Sequence, residues 1–89
     1  MSMSPTDSLR LSVVVPTLNE APCIATVLEG LLSQAGIDEL LVVDGGSTDG
    51  TIDIVESMGV QLHRQKSRGL GHGLHEAFEV ASGDVLCVV

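Results

Sequence analysis

The segment Leu40-Leu41-Val42-Val43-Asp44-Gly45-Gly46-Ser47-Thr48-Asp49-Gly50-Thr51 most constrains the fold: an apolar run stops at a carboxylate, a glycine pair follows, and small polar residues lead into a helical pattern. Such a run reads as a buried strand, and a strand that feeds a helix through a glycine turn is the repeating junction of α/β proteins. In parallel sheets the carboxyl ends of the strands open onto the ligand crevice, which places Asp44 at that rim. Gly45 and Gly46 suit a tight turn through positive φ. Ser47, Thr48 and Asp49 offer side-chain oxygens to the first N–H groups of the next helix. Asp44 has two readings here, a ligand contact or a turn residue that bonds its own backbone, and the segment leaves both open.

The same alternation runs through the chain. Leu11 to Val15 reads as a strand stopped by Pro16, and Asn19 and Glu20 lead into a helix with Pro22 in its first turn. That helix carries an apolar stripe of Ile24, Val27, Leu28, Leu31 and Leu32, and Gly36 ends it. A second strand follows over Glu39 to Val43, then a short helix from about Gly50 to Met58 that buries Ile52, Val55 and Met58 and stops at Gly59. Val60 to His63 gives a third strand. A basic glycine-rich loop comes next, then a helix from about Gly71 to Ala81 with Leu74, Ala77 and Phe78 inward, a turn at Gly83 and Asp84, and a fourth strand over Val85 to Val89. Alternating strands and helices imply right-handed crossovers and a parallel sheet. Residues 1–8 read as a disordered tail and residues 9–89 as one domain.

Composition narrows the function. Phe78 is the only aromatic among 44% apolar residues, so the core must be built from Val, Leu and Ile. Twelve acids against four bases give a net charge of −8, which argues against a nucleic-acid backbone or an anionic membrane as partner. Yet Arg64, Lys66 and Arg68 cluster directly before Gly69-Leu70-Gly71-His72-Gly73, a pattern suited either to a small anion or to a solvated loop. Cys23 and Cys87 lack metal or redox spacing and read as buried reduced thiols. The start of the chain lacks the pattern of a signal peptide and no run reaches membrane-spanning length, so a cytoplasmic location is expected.

Three segments in this order, Val13-Val14-Val15-Pro16-Thr17-Leu18-Asn19-Glu20, the Val42 to Thr51 stretch, and Gly69-Leu70-Gly71-His72-Gly73-Leu74 with Ser82-Gly83-Asp84-Val85, resemble the family 2 glycosyltransferases of GT-A fold. The glycine loop is most similar to the dolichyl-phosphate mannosyltransferase branch. The resemblance implies the Rossmann-like nucleotide-binding half of that fold, with a parallel sheet in the order 3-2-1-4 and helices on both faces. It implies a UDP- or GDP-linked sugar as ligand, with Pro16, Thr17 and Glu20 around base and ribose, and Glu20 accepting from the ribose diol. Asp44 matches an acid that contacts the nucleoside, although Gly45 stands where a second acid is common. Arg68, Gly69 and Gly71 match the loop beneath the diphosphate, where glycines admit close approach and a helix start offers N–H groups.

Family members continue past the last strand into an aspartate-rich D-x-D motif that holds Mg or Mn, and then into an acceptor half. This chain stops at Val89. The expectation is therefore a truncated donor-binding half, inactive alone, with no catalytic residue and no metal ligand of its own. His72 and His75 stand one turn apart without a third ligand and read as surface residues. Ending at Val89 also leaves one edge of an apolar strand open, so a homodimer through antiparallel pairing of strand 85–89 is expected. The alternative reading is a non-catalytic nucleotide-binding or assembly module that works through strand pairing. A dinucleotide-binding oxidoreductase is excluded because its glycine fingerprint should follow the first strand. A P-loop enzyme is excluded because no G-K-[ST] occurs.

Overall fold

The structure, a computed structural model, describes residues 9–66, 75–77, 79–81, 83 and 85–89, the side chains of 85 and 86 excepted. Strand β1 covers Leu11–Thr17, helix α1 Ala21–Leu32, β2 Glu39–Asp44, α2 Thr51–Ser57, β3 Gln61–Arg64 and β4 Val85–Val88; residues 75–77 and 79–80 are also helical. The four strands form one sheet in the order β3-β2-β1-β4, with every pair parallel. Val15 lies opposite Val42 and Thr17 opposite Asp44, so the polar ends of β1 and β2 meet at the same edge.

Side chains alternate across the strands and so build two layers. Val13, Val15 and Val42 face Ile24 and Leu28 of α1, Val55 of α2 and Val60. On the opposite face Val14, Leu41 and Val43 pack against Ala77, with Ala81 beside them. Helices therefore cover both faces. The order reverses at β1, where successive crossovers to β2 and β3 give way to β4 on the other side.

Several local expectations need correction. Helix α1 stops at Leu32 rather than near Gly36, and at its C-cap the Ser33 hydroxyl donates to the Gly30 carbonyl at 2.7 Å. Its buried residues are Ile24 and Leu28, while Val27 and Leu32 are 37% and 55% exposed and lie on the flanks of the stripe. In α2, Ile54 joins Met58 against the core, and Ile52 is only half-buried. Gly59, at φ +71°, closes that helix in a conformation that favours glycine. Strand β3 begins at Gln61 and runs to Arg64, one residue later at each end than the pattern suggests. Both cysteines are exposed, Cys23 on a flank of α1 and Cys87 on a sheet edge.

Candidate functional site

The carboxyl ends of β1 and β2 are tied together by one buried carboxylate. Asp44 is 1% exposed. It accepts hydrogen bonds from the Thr17 hydroxyl at 2.7 Å, the Ser47 hydroxyl, and the backbone N–H groups of Gly46 and Ser47 at 2.9 and 2.8 Å. Burial alone would push its carboxyl up, but the Ser47 hydroxyl and amide, then Thr17 and Gly46, outweigh it and hold the group below the ordinary aspartate value. The ionised form therefore organises the turn. Of the two glycines only Gly46 needs positive φ, at +114°. Gly45 turns without it and donates its N–H to the Thr17 carbonyl at 2.9 Å.

In the Ser47-Thr48-Asp49-Gly50-Thr51 stretch the first three residues were expected to cap α2, and the stretch does so only in part. Asp49 accepts from Thr51 N at 3.1 Å and from the Thr51 hydroxyl, which with the neighbouring amides lowers its carboxyl as well. The stretch also bonds the loop between β1 and α1. Ser47 Oγ accepts from Asn19 N at 2.8 Å, Thr51 Oγ1 from Glu20 N at 2.9 Å, and Asp49 Oδ2 from Ala21 N at 3.1 Å. In return Thr48 N donates to Asn19 Oδ1 at 2.8 Å. Asn19 sits at φ +54°, a conformation that asparagine tolerates better than most residues, and these bonds hold it there. Three otherwise unpaired amides at the start of α1 are thus satisfied from another loop.

This stitching opens a cleft of about 290 Å³, lined by Pro16, Thr17, Leu18, Glu20, Val43, Gly45 and Gln65. Pro16, Thr17 and Glu20 are among the residues expected there. Asp44 lies beneath, its oxygens turned to Thr17, Gly46 and Ser47 rather than to the cleft. Leu18, Val43 and Gln65 escaped the sequence reading. Leu18, 58% exposed in a polar loop, was the available signal; Gln65, uncharged inside a basic run, carried none. Glu20 also borders a second, more apolar hollow of about 210 Å³, lined by Val15, Pro16, Cys23, Ile24, Val27 and Val89, where β1 adjoins β4. There the Cys23 thiol donates to Glu20 Oε2 at 3.4 Å, which, with slight burial and the Glu20 charge, pushes the thiol up.

Arg68, Gly69 and Gly71, with His72, lie outside the described residues. On either side of them, Glu76 accepts from Lys66 N at 2.9 Å and bonds His63 Nε2 at 2.8 Å. Arg64 pairs with Glu56 at 3.7 Å on the surface, and His75 with Glu79 at 3.2 Å. Among the described residues no group of three or more His, Cys, Asp or Glu side chains could hold a metal ion. No described helix is long and apolar enough to cross a membrane.

A parallel sheet in this order, with helices on both faces and a cleft at the carboxyl edge, defines a Rossmann-like α/β domain. The family model for glycosyl transferase family 2 matches residues 12–89, and the chain belongs to that family. It is 40% identical over 67 residues to the glycosyltransferase AglJ of Haloferax volcanii, covering 75% of this chain and 22% of the relative. Over 79 residues it is 35% identical to a PGL/p-HBAD biosynthesis glycosyltransferase of Mycobacterium bovis, covering 81% of this chain and 31% of the relative. The chain thus spans about a fifth to a third of the length of these relatives. Glucosyl-3-phosphoglycerate synthase of Mycobacterium tuberculosis, solved with Mn2+, UDP and glucosyl-3-phosphoglycerate, superposes with a TM-score of 0.85 at 29% identity, over 94% of this chain and 34% of that one. The mannosyltransferase PcManGT of Pyrobaculum calidifontis, solved with GDP-Man and Mn2+, gives 0.80 at 34% identity, over 88% and 26%.

Proposed function

We propose that this chain is the donor-binding part of a family 2 glycosyltransferase, holding a nucleoside-diphosphate sugar for transfer to an acceptor in a whole protein. The observation that carries this reading is the cleft at the carboxyl edge of β1 and β2, with the exposed Glu20 on its wall. Pro16 and Leu18 offer apolar surface to a base, and the Glu20 carboxylate accepts from a ribose diol. Asp44 and the hydroxyl of Thr17 act one layer down, by fixing the cleft floor. Arg68, Gly69 and Gly71 complete the reading as the diphosphate loop, with Arg64 and Lys66 adding attraction. The sequence of that loop is also the ground for placing the chain nearest the dolichyl-phosphate mannosyltransferase branch. Mg or Mn belongs, in this reading, to a whole protein. A cytoplasmic setting fits two free thiols, Cys23 and Cys87.

Titration of UDP and GDP into this chain, followed by backbone amide shifts, tests the proposal. Shifts at Leu18, Glu20 and Gly45 with a dissociation constant of about 1 mM, roughly −4 kcal/mol, are expected. Amides that ignore both nucleotides would overturn it, and sugar transfer by these residues unaided would overturn the expectation that they are inactive alone. A second reading, an assembly module acting through strand pairing, has one observation in its favour. Among the described strands β4 pairs only with β1, and Cys87, Val88 and Val89 are exposed along it.

A further inference from the structure

The amides that lead into α1 all donate to side chains of the other loop: Asn19 N to Ser47, Glu20 N to Thr51 and Ala21 N to Asp49. The Glu20 carbonyl in turn accepts from Cys23 N at 3.0 Å and Ile24 N at 2.8 Å. The backbone of Glu20 is thus held at both its polar atoms, while its side chain is exposed and borders both hollows. Among the described residues its carboxylate takes a single bond, from the Cys23 thiol to Oε2. An exposed glutamate spreads over many rotamers, so a fixed starting direction at Cα narrows where the carboxylate reaches. Thr51 is the innermost of the contacts that fix it. It is fully buried at the first residue of α2, whereas Ser47 is half-buried and Asp49 exposed. Its hydroxyl has one proton and two lone pairs; the proton goes to Asp49 Oδ1, and a lone pair takes Glu20 N. Asp49 also receives Thr51 N on Oδ1 and Ala21 N on Oδ2, so the hydroxyl is oriented from both sides.

We propose that Thr51, oriented by Asp49, is a positioning residue for Glu20: it fixes the backbone from which the carboxylate reaches the ribose diol, without touching the nucleotide itself. The inference rests on the donor-binding reading above. It gives the buried end of the β2–α2 loop a part in ligand recognition beyond satisfying the first amides of a helix. A Thr51 that only stabilised the loop would support every ligand of the cleft equally. A positioning Thr51 favours only the ligands that carry the diol.

The test compares UDP with 2′,3′-dideoxyuridine 5′-diphosphate, which keeps base and diphosphate and lacks the diol. Both are titrated, with amide shifts as the readout, into the unaltered chain and into Thr51→Val, which keeps the shape of the side chain and loses the hydroxyl. The unaltered chain is expected to favour UDP by about tenfold, the low end for a hydrogen bond to a charged group. Thr51→Val is expected to cut that preference to about twofold or less, while binding the dideoxy analogue as the unaltered chain does. Thr51→Ser, which restores the hydroxyl, is expected to restore the preference. In a Glu20→Ala background Thr51→Val is expected to change neither affinity, because the group it acts through is gone. A Thr51→Val chain that favours UDP as strongly as the unaltered one, or that loses both ligands equally, overturns the inference while the unaltered chain still binds its donor. An unaltered chain that binds UDP and the dideoxy analogue alike overturns it too, again with donor binding retained. An unaltered chain whose amides ignore UDP and GDP removes the donor-binding reading and this inference together. Should Thr51→Val fail to fold, Asp49→Ala at an exposed site releases the same hydroxyl, and an undiminished preference for UDP in that variant overturns the inference equally.

Discussion

Asp44 is an anion enclosed by donors, and its contribution to the fold has a definite sign with pH. Its carboxyl lies below the ordinary value in the folded chain, so its stabilisation is present above the unfolded value of about 3.9 and is lost as pH falls through the lower folded value. Acid unfolding followed by circular dichroism is expected to show this loss, and Asp44→Asn should flatten it. At pH 7 that variant turns an N–H group toward the Gly46 and Ser47 amides or the Thr17 and Ser47 hydroxyls, and a loss of about 2 to 3 kcal/mol in denaturant unfolding is expected. Of the two readings the sequence left open for Asp44, the turn-organising one accounts for its bonds to Gly46 and Ser47, while the Thr17 hydroxyl reaches it from β1. No local pattern marked Gln65, because its position depends on β3 lying beside β2.

At the scale of elements, helix α1 is held by a narrower stripe than its sequence suggests. Leu28, fully buried against the first layer, should cost about 2 to 5 kcal/mol when replaced by alanine, whereas Leu32→Ala at a 55% exposed site should stay within about 0.5 kcal/mol. Paired urea melts of the two variants check this. The amino ends of the strands carry their own lock. Ser12, fully buried, donates to Glu39 at 2.8 Å and accepts from Gly83 N at 2.9 Å, joining β1, β2 and Gly83 ahead of β4. A Cβ at Gly83 would overlap Ser12 Oγ and come within 2.9 Å of Ser12 N and 3.0 Å of the Arg10 carbonyl. Gly83→Ala is therefore expected to lose about 1 to 3 kcal/mol, read as a lower melting temperature, with protection from amide exchange falling first in β4.

For the whole molecule the prediction about assembly concerns β4. Its Val89 N–H donates to the Val14 carbonyl at 3.0 Å, so by the two-residue period of a strand Cys87 also faces β1 with its N–H, and the amides of Leu86 and Val88 point to the outer edge. If two copies of this chain pair antiparallel along that edge, an isologous contact satisfies both at once. Light scattering at increasing concentration is expected to show a dimer. Val88→Pro, which removes an outward N–H while sparing the bond from Val89, is expected to give a monomer. A monodisperse monomer of the unaltered chain at high concentration rejects the pairing.

The alternation of strand and helix, and with it the parallel sheet, was legible in the sequence because it rests on local chemistry, and the family was legible from the resemblance of three ordered motifs. Apolar runs of strand length, Pro22 at a helix start and Gly59 at a helix end announce themselves without reference to distant residues. The motif around Asp44 was equally visible, but its meaning was not. Ser47, Thr48 and Asp49 were read as a cap for the helix that follows them, the neighbour in sequence. Tertiary structure spends much of their hydrogen bonding on Asn19 and Ala21, the neighbours in space, 28 or more positions away, and Thr51 does the same for Glu20. That choice arises because β1 and β2 lie side by side in register, bringing both carboxyl ends to one edge, where orphan amides of one loop meet the side-chain oxygens of another. Burial likewise follows from packing against a particular face, which is why Cys23, Val27 and Leu32 are exposed although their apolar character suggested otherwise.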